Sequence, residues 1–204
     1  MAKTFIKFLE PYEQELLKKI KKKGLTIAVS GSAGSGKSTG AKIFANVLGL
    51  KYVSSGKIFR KLAEERGVSL QEFSATREKE IDHEIDRKSL EHAIRGGCVI
   101  DGRLSGFVAG DWADVRVFYD CPLQTRASRL MRRDNLTIDE AKKVVAQRDE
   151  EDNKKYRQLY GVDMFDKSIY HLIIDNQKLS LEQAKVVPVK MIKEFLNKKG
   201  ILKD

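Results

Sequence analysis

The chain has 204 residues, 41% hydrophobic and 33% charged, which suits one soluble α/β domain with small inserts and a sizeable core. No apolar run approaches the ~20 residues of a membrane span, and Lys7, Glu10 and Glu13 interrupt any leader-like stretch, so a cytoplasmic chain without membrane attachment is expected. The 39 basic and 29 acidic side chains leave a net charge of +10, which suits either nucleic acid or a site for phosphorylated molecules; no nucleic-acid module is recognisable, and this favours the second.

Residues 1–24 read as a basic N-terminal helical extension. Pro11 opens a helix that Gly24 can end, Leu16, Leu17 and Ile20 make an apolar stripe, and Lys18, Lys19, Lys21, Lys22 and Lys23 crowd its C-terminal end. Docking on the domain is the expected role, with a basic arm for RNA as the alternative.

Residues 25–204 read as the main domain. Leu25–Ser30 is a buried strand, and Gly31-Ser32-Ala33-Gly34-Ser35-Gly36-Lys37-Ser38-Thr39 follows it with the pattern G-x-x-x-x-G-K-[ST]. Backbone amides surround an anion only where side chains do not block the approach, hence the glycines. A helix from Lys37 to Leu48 adds unpaired N–H groups and the positive end of its dipole. This strand, loop and helix form a cradle for the phosphates of a nucleoside triphosphate. Lys37 is placed to reach the outer phosphates and Ser38 to ligate magnesium.

Leu50–Ser54 is a second strand. After Ser55 and Gly56 comes a helix with Ile58, Phe59 and Leu62 on its apolar side, carrying Arg60. Ser69–Glu72 is a capping box, and Ser74–Arg95 has a helical composition with a thin seam of Ile81, Ile85, Leu90 and Ile94 beside Asp82, His83, Asp86 and Arg87. This suits a small helical flap, at about residues 57–96.

Cys98–Asp101 is an apolar strand closing on an acid, followed by Gly102 and Arg103. A carboxylate at that strand edge is where phosphate-loop proteins hold magnesium through water, which assigns Asp101 to the metal. Val115–Asp120 is the next strand. Pro122 opens a helix with Arg126, Arg129 and Arg133 roughly on one face. After a break at Asn135-Leu136, the capping box Thr137–Glu140 starts a helix to about Tyr156 that carries Arg148, Asp149 and Asp152. Two arginine-lined helices on a short turn suit a lid, at about residues 129–160, because the guanidinium fork holds two phosphate oxygens at once. His171–Asp175 is the last strand and Ser180–Gln183 caps the last helix, which Pro188 should kink or split. Cys98 and Cys121 lie in apolar runs and are expected to be inert thiols in a reducing compartment. Strands alternating with helices predict a three-layer α/β fold around a parallel sheet.

The cradle identifies a nucleotide, not a reaction. The guanine-reading N-K-x-D and the switch D-x-x-G are both missing, which excludes a regulatory GTPase. A compact core with two inserted helical pieces fits a small-molecule phosphotransferase that closes to keep water from the phosphoryl group. The segments Lys51–Arg60, Ile81–Asp86, Asp101–Leu104, Tyr160–Asp163 and Ser168–Tyr170, in this order, resemble the archaeal-type cytidylate kinases, phosphate-loop nucleoside monophosphate kinases.

The resemblance implies a five-stranded parallel sheet, a helical monophosphate-binding insert and a helical lid, with transfer of the ATP γ-phosphoryl to CMP or dCMP. It implies that Gly31–Thr39 bind ATP and magnesium. Ser55, Gly56, Arg60, Asp101, Gly102 and Arg103 would face the acceptor, with Asp82 and Asp86 at the cytosine amino group. Lys37, Arg129, Arg133 and Arg148 would act on the moving phosphoryl. A monomer is expected. The alternatives are a kinase for another small acceptor such as shikimate, and an RNA-associated ATP-binding protein.

Overall fold

The strand that leads into the phosphate loop is apolar along its whole length, and it lies at the centre of the sheet. In the computed structural model, which describes residues 5–69, 72–73 and 79–201, β1 (Thr26–Gly31) is buried at every position. The other strands are β2 (Lys51–Ser54), β3 (Cys98–Asp101), β4 (Val115–Asp120) and β5 (Leu172–Asp175). All pairings are parallel, in the order β2-β3-β1-β4-β5. The chain runs outward from β1 to β2, returns to β3, and then crosses β1 to β4. The crevice at the carboxyl ends beside β1 is therefore the place where a doubly wound sheet binds its ligand.

Alternation on β1 builds both faces. Ile27 and Val29 pack with Ala41 and Phe44 of α2 (Lys37–Val47) and with Ile192 and Leu196 of α8 (Gln183–Lys198). Ala28 points the other way. It joins a core with Leu90, Ala93 and Ile94 of α4 (Lys79–Arg95), Phe107 of α5 (Ser105–Ala109), and Tyr156 and Tyr160 of α7 (Ile138–Tyr160). Two satellite clusters stand off the sheet. Leu62 and Ala63 of α3 (Ser55–Glu65) meet Phe73, Ile81 and Ile85, and Ala127 and Leu130 of α6 (Leu123–Asp134) meet Ala141 and Val145 of α7. Asn135, in the left-handed region at φ 55°, turns α6 into α7, and Thr137 and Glu140 form the expected capping box. Among the described residues no helix is long and apolar enough to cross a membrane.

Three local expectations need correction. The helix from Pro11 ends at Lys18, well before Gly24, as α1 (Pro11–Lys18), and Leu16 is exposed while Leu17 is buried. Five lysines repel one another on adjacent turns. The chain there is also drawn toward β1, with the Lys23 amide on the Arg95 carbonyl and Lys22 on Asp114, both at 2.7 Å. The seam of α4 divides: Ile81 and Ile85 belong to the flap, whereas Leu90 and Ile94 belong to the main core. Pro188 leaves α8 a single helix. Its fixed φ is helical, so the helix runs on through it, at the loss of its own amide bond and with its ring against the Ala184 carbonyl. The Ser69–Glu72 capping bonds form, with the Glu72 amide donating to the Ser69 hydroxyl at 3.1 Å. The helix expected through residues 70–71 and 74–78 lies outside the described residues.

Candidate active site

The phosphate loop is held from its outer side by cations. Arg129 donates to the carbonyls of Gly34 (3.3 Å), Ser35 (3.1 Å) and Asn176 (2.9 Å). Asn176, just past β5, donates its amide to the Ser35 carbonyl at 2.6 Å. Arg126 is buried, reaches the Ala33 carbonyl at 3.3 Å, and pairs with Asp149 of α7 at 2.7 Å. Carbonyls fixed outward turn the positive ends of their peptide dipoles toward the concave side, as an anion requires. Gly36 is obligatory there. Its φ is +94°, and a Cβ would lie 2.2 Å from the Asn176 amide nitrogen.

In front of the loop lies a cleft of about 430 Å³. Lys37 and Ser38 line it from the phosphate loop. Ser55, Gly56, Arg60, Asp82, Asp86, Asp101, Gly102 and Arg103 line the remainder, so every side chain expected on the acceptor side converges there. The sheet accounts for this. Asp101 on β3 is in register with Val29 on one side and with Ser54 on the other, which aligns the loop, the acid and the start of α3 along one edge. The Arg60 guanidinium lies over Gly56, 3.7 Å from where a Cβ would stand.

The charges in the cleft are organised. Burial pushes the Lys37 ammonium down, and the Asp101 carboxylate opposes that shift. Asp101 is buried. Its Oδ2 accepts from the Tyr52 hydroxyl at 2.7 Å, and its Oδ1 has no hydrogen-bond partner among the described residues. Burial and Asp101 together push the Tyr52 phenol up to about 12. Asp82 is buried and pairs with Lys155 at 3.3 Å, Asp86 accepts from the Tyr160 hydroxyl at 2.8 Å, and Arg103 pairs with Asp152.

The arginines of α6 and α7 divide. Arg129, expected at the transferred phosphoryl, donates to backbone carbonyls of the loop and does not line the cleft. Arg133 folds back on Asp134 at 2.6 Å with a 64% exposed side chain, and Arg148 is exposed on α7. Neither lines the cleft, so of the residues expected to act on the phosphoryl, Lys37 alone does. Tyr52, Asp152 and Tyr156 also line the cleft, although the sequence reading assigns none of them to the site. Asp149, Asp152 and Tyr156 at i, i+3 and i+7 form a readable stripe on α7. Tyr52 had no such signal, because its reach to Asp101 depends on the β2–β3 register.

The sequence pattern of the cytidylate kinase-like family matches residues 26–178. The chain is 44% identical over 160 residues to a cytidylate kinase of Pyrococcus horikoshii, covering 78% of this chain and 83% of that one. It is 45% identical over 172 residues to a cytidylate kinase of Ignicoccus hospitalis, covering 83% and 98%. Among solved structures, a shikimate kinase of Bacteroides thetaiotaomicron superimposes with a TM-score of 0.57 at 17% identity, covering 85% of this chain and 98% of that one. An uncharacterized protein from Eubacterium ventriosum superimposes at 0.62 and 18% identity, covering 83% and 98%. At such identities the likeness is one of fold.

Proposed function

Because this chain belongs to the cytidylate kinase-like family, we propose that it transfers the γ-phosphoryl group of ATP to CMP or dCMP, giving ADP and the nucleoside diphosphate. The observation that carries the reading is one continuous cleft that Lys37 and Ser38 of the phosphate loop share with Arg60, Asp82, Asp86, Asp101 and Arg103.

A phosphate oxygen of the acceptor forms a bond to Pγ as the bridging Pγ–O bond to the β-phosphate breaks, and the electron pair leaves with ADP. The loop Gly31–Thr39 holds the donor phosphates. The Lys37 ammonium stands where charge builds on the transferred group, and in a dry site that attraction is worth several times its value in water. Arg60 and Arg103 hold the acceptor phosphate in line, offsetting repulsion between two anions. Asp82 and Asp86 accept from the cytosine amino group, and Ser55, Gly56 and Gly102 shape the wall beside it. In this reading Arg133 and Arg148 enter as the lid closes, which excludes water as a competing acceptor.

The cleft suits magnesium. Asp101 Oδ1 is a buried carboxylate oxygen without a hydrogen-bond partner among the described residues, and Ser38 lines the same cleft. When bound, the cation screens the donor phosphates and orients them. Ser38 would hold it directly and Asp101 through water. The buried free thiols of Cys98 and Cys121 are compatible with a reducing cytoplasm, where we place the reaction.

An ADP-release assay across CMP, dCMP, UMP, AMP, GMP and shikimate tests the proposal. The highest kcat/KM is expected with CMP or dCMP. A maximum with AMP or shikimate overturns the cytidylate reading.

A further inference from the structure

Residues 5–23 precede the matched family region 26–178, yet they are built into the wall behind the acceptor site. The 3-10 turn Phe5–Phe8 places two rings against Tyr160, the last residue of α7. Phe5 is fully buried and meets the Tyr160 ring edge-on at 5.4 Å, and Phe8 meets it at 5.2 Å. His83 of α4 closes a third side at 5.3 Å and Phe107 a fourth at 5.6 Å. Tyr160 is buried in this cage. Its only polar atom reaches out of it, donating to Asp86 Oδ2 at 2.8 Å, and Asp86 lines the cleft.

The same segment grips α4 elsewhere, through Glu13 on Arg87 at 3.6 Å and the Lys23 amide on the Arg95 carbonyl at 2.7 Å. It thus fastens the acceptor flap helix to the base of the long lid helix. A hydroxyl fixed by four packed rings pins the torsion of the carboxylate that accepts from it. That carboxylate cannot turn without giving up a charge-assisted hydrogen bond.

We propose that the N-terminal segment is a working part of the acceptor site: Phe5 and Phe8 fix Tyr160, and Tyr160 fixes Asp86, so this segment sets the affinity for the nucleoside monophosphate. Phe8 and Tyr160 are positioning residues. The inference rests on the reading above that Asp86 touches the acceptor base.

The test is steady-state kinetics on the full chain, varying CMP and ATP separately, for Asp86→Asn, Tyr160→Phe, Phe8→Ala and the double variant Tyr160→Phe/Asp86→Asn. Tyr160→Phe is expected to raise KM for CMP about tenfold, the size of one lost hydrogen bond to a charge. Phe8→Ala is expected to raise it about threefold, the size of one aromatic pair. In both variants KM for ATP and kcat should stay within about twofold, as expected when only acceptor affinity changes. The double variant should bind CMP no worse than Asp86→Asn alone, because the two act in series.

If Asp86→Asn raises KM for CMP while Tyr160→Phe and Phe8→Ala leave it unchanged, the inference is overturned and the acceptor reading stands. If Asp86→Asn also leaves it unchanged, the contact of Asp86 with the acceptor base fails, and this inference with it. Equal losses toward ATP and CMP, or strict additivity in the double variant, overturn the inference as well, since they mark general loosening. Should Phe8→Ala fail to fold, Tyr160→Phe removes a single hydroxyl and carries the test.

Discussion

At Asp101 the two carboxylate oxygens have different tasks. Oδ2 is tied to Tyr52 at 2.7 Å, and that bond leaves Oδ1 aimed without a protein partner among the described residues. A buried carboxylate with one oxygen fixed offers the other in a defined direction, which is how a second layer of contacts sharpens a metal site. Replacing Tyr52→Phe keeps the ring and removes the donor. The magnesium concentration for half-maximal activity should then rise about tenfold, the scale of losing such an orienting partner. A magnesium titration at saturating ATP and CMP measures it. An unchanged requirement means that Tyr52 only packs. The arginines of α6 show the same dependence on depth. Arg126, Arg129 and Arg133 share a helical face, but Arg126 is buried on Asp149, Arg129 serves loop carbonyls, and Arg133 is exposed in the last turn. Spacing identifies the face and says nothing of how deep each side chain lies.

Helix α2 carries the phosphate loop's dipole, and its packing depends on a missing side chain. A Cβ at Gly40 would stand 1.8 Å from the Tyr119 hydroxyl oxygen and 2.3 Å from the ring carbon bearing it. Tyr119 is buried on β4, so the ring has no open space to swing into. Gly40→Ala therefore sets two effects against each other. Alanine favours the helix by about 1 kcal/mol, whereas overpacking a dense core costs about 1–3 kcal/mol. The clash involves a whole ring, so destabilisation should win, with α2 pushed off the sheet and the loop with it. A lower urea midpoint together with a raised KM for ATP is expected. A more stable variant would mean that Tyr119 moves freely. Much at this scale was legible in the sequence. The loop motif and the capping box at Thr137 rest on local pattern, the acids and arginines of the acceptor side rest on the family resemblance, and the structure brings that acceptor set into one cleft. The divided seam of α4, the early end of α1 and the reach of Tyr52 were not legible, because each depends on which strands and helices become neighbours. The register that brings Ser54 beside Asp101 appears nowhere in either segment alone.

Across the whole molecule, protonation and net charge act in the same direction. His171 sits at the edge of β5, where its Nδ1 accepts from the Arg116 amide at 3.1 Å and its ring stacks on Phe195. Partial desolvation, then the cations of Arg116 and Lys199, hold its imidazole below the usual range, against a smaller opposing pull from Asp111. His92 is held down too, by desolvation and then Lys51 and Arg95, with Glu91 opposing. A histidine whose folded value is depressed takes up its proton first in the unfolded chain, so its contribution is complete above about pH 6.5 and lost as pH falls through the lower folded value. Asp163, lowered chiefly by the Phe165 amide, and Asp175, lowered chiefly by Lys178, act likewise below about pH 4. Every proton bound also adds to a chain already at +10, so self-repulsion grows alongside. Stability should therefore decline on acidification in two stages, one below about pH 6.5 and one below about pH 4. Urea midpoints at pH 8, 6.5, 5.5, 4 and 3 measure the decline. His171→Asn keeps an acceptor for the Arg116 amide and cannot be protonated, so it should shrink the upper stage to the part that His92 contributes and leave the lower one intact. A midpoint that holds constant or rises from pH 8 to 5.5 contradicts the assignment of the upper stage to the histidines.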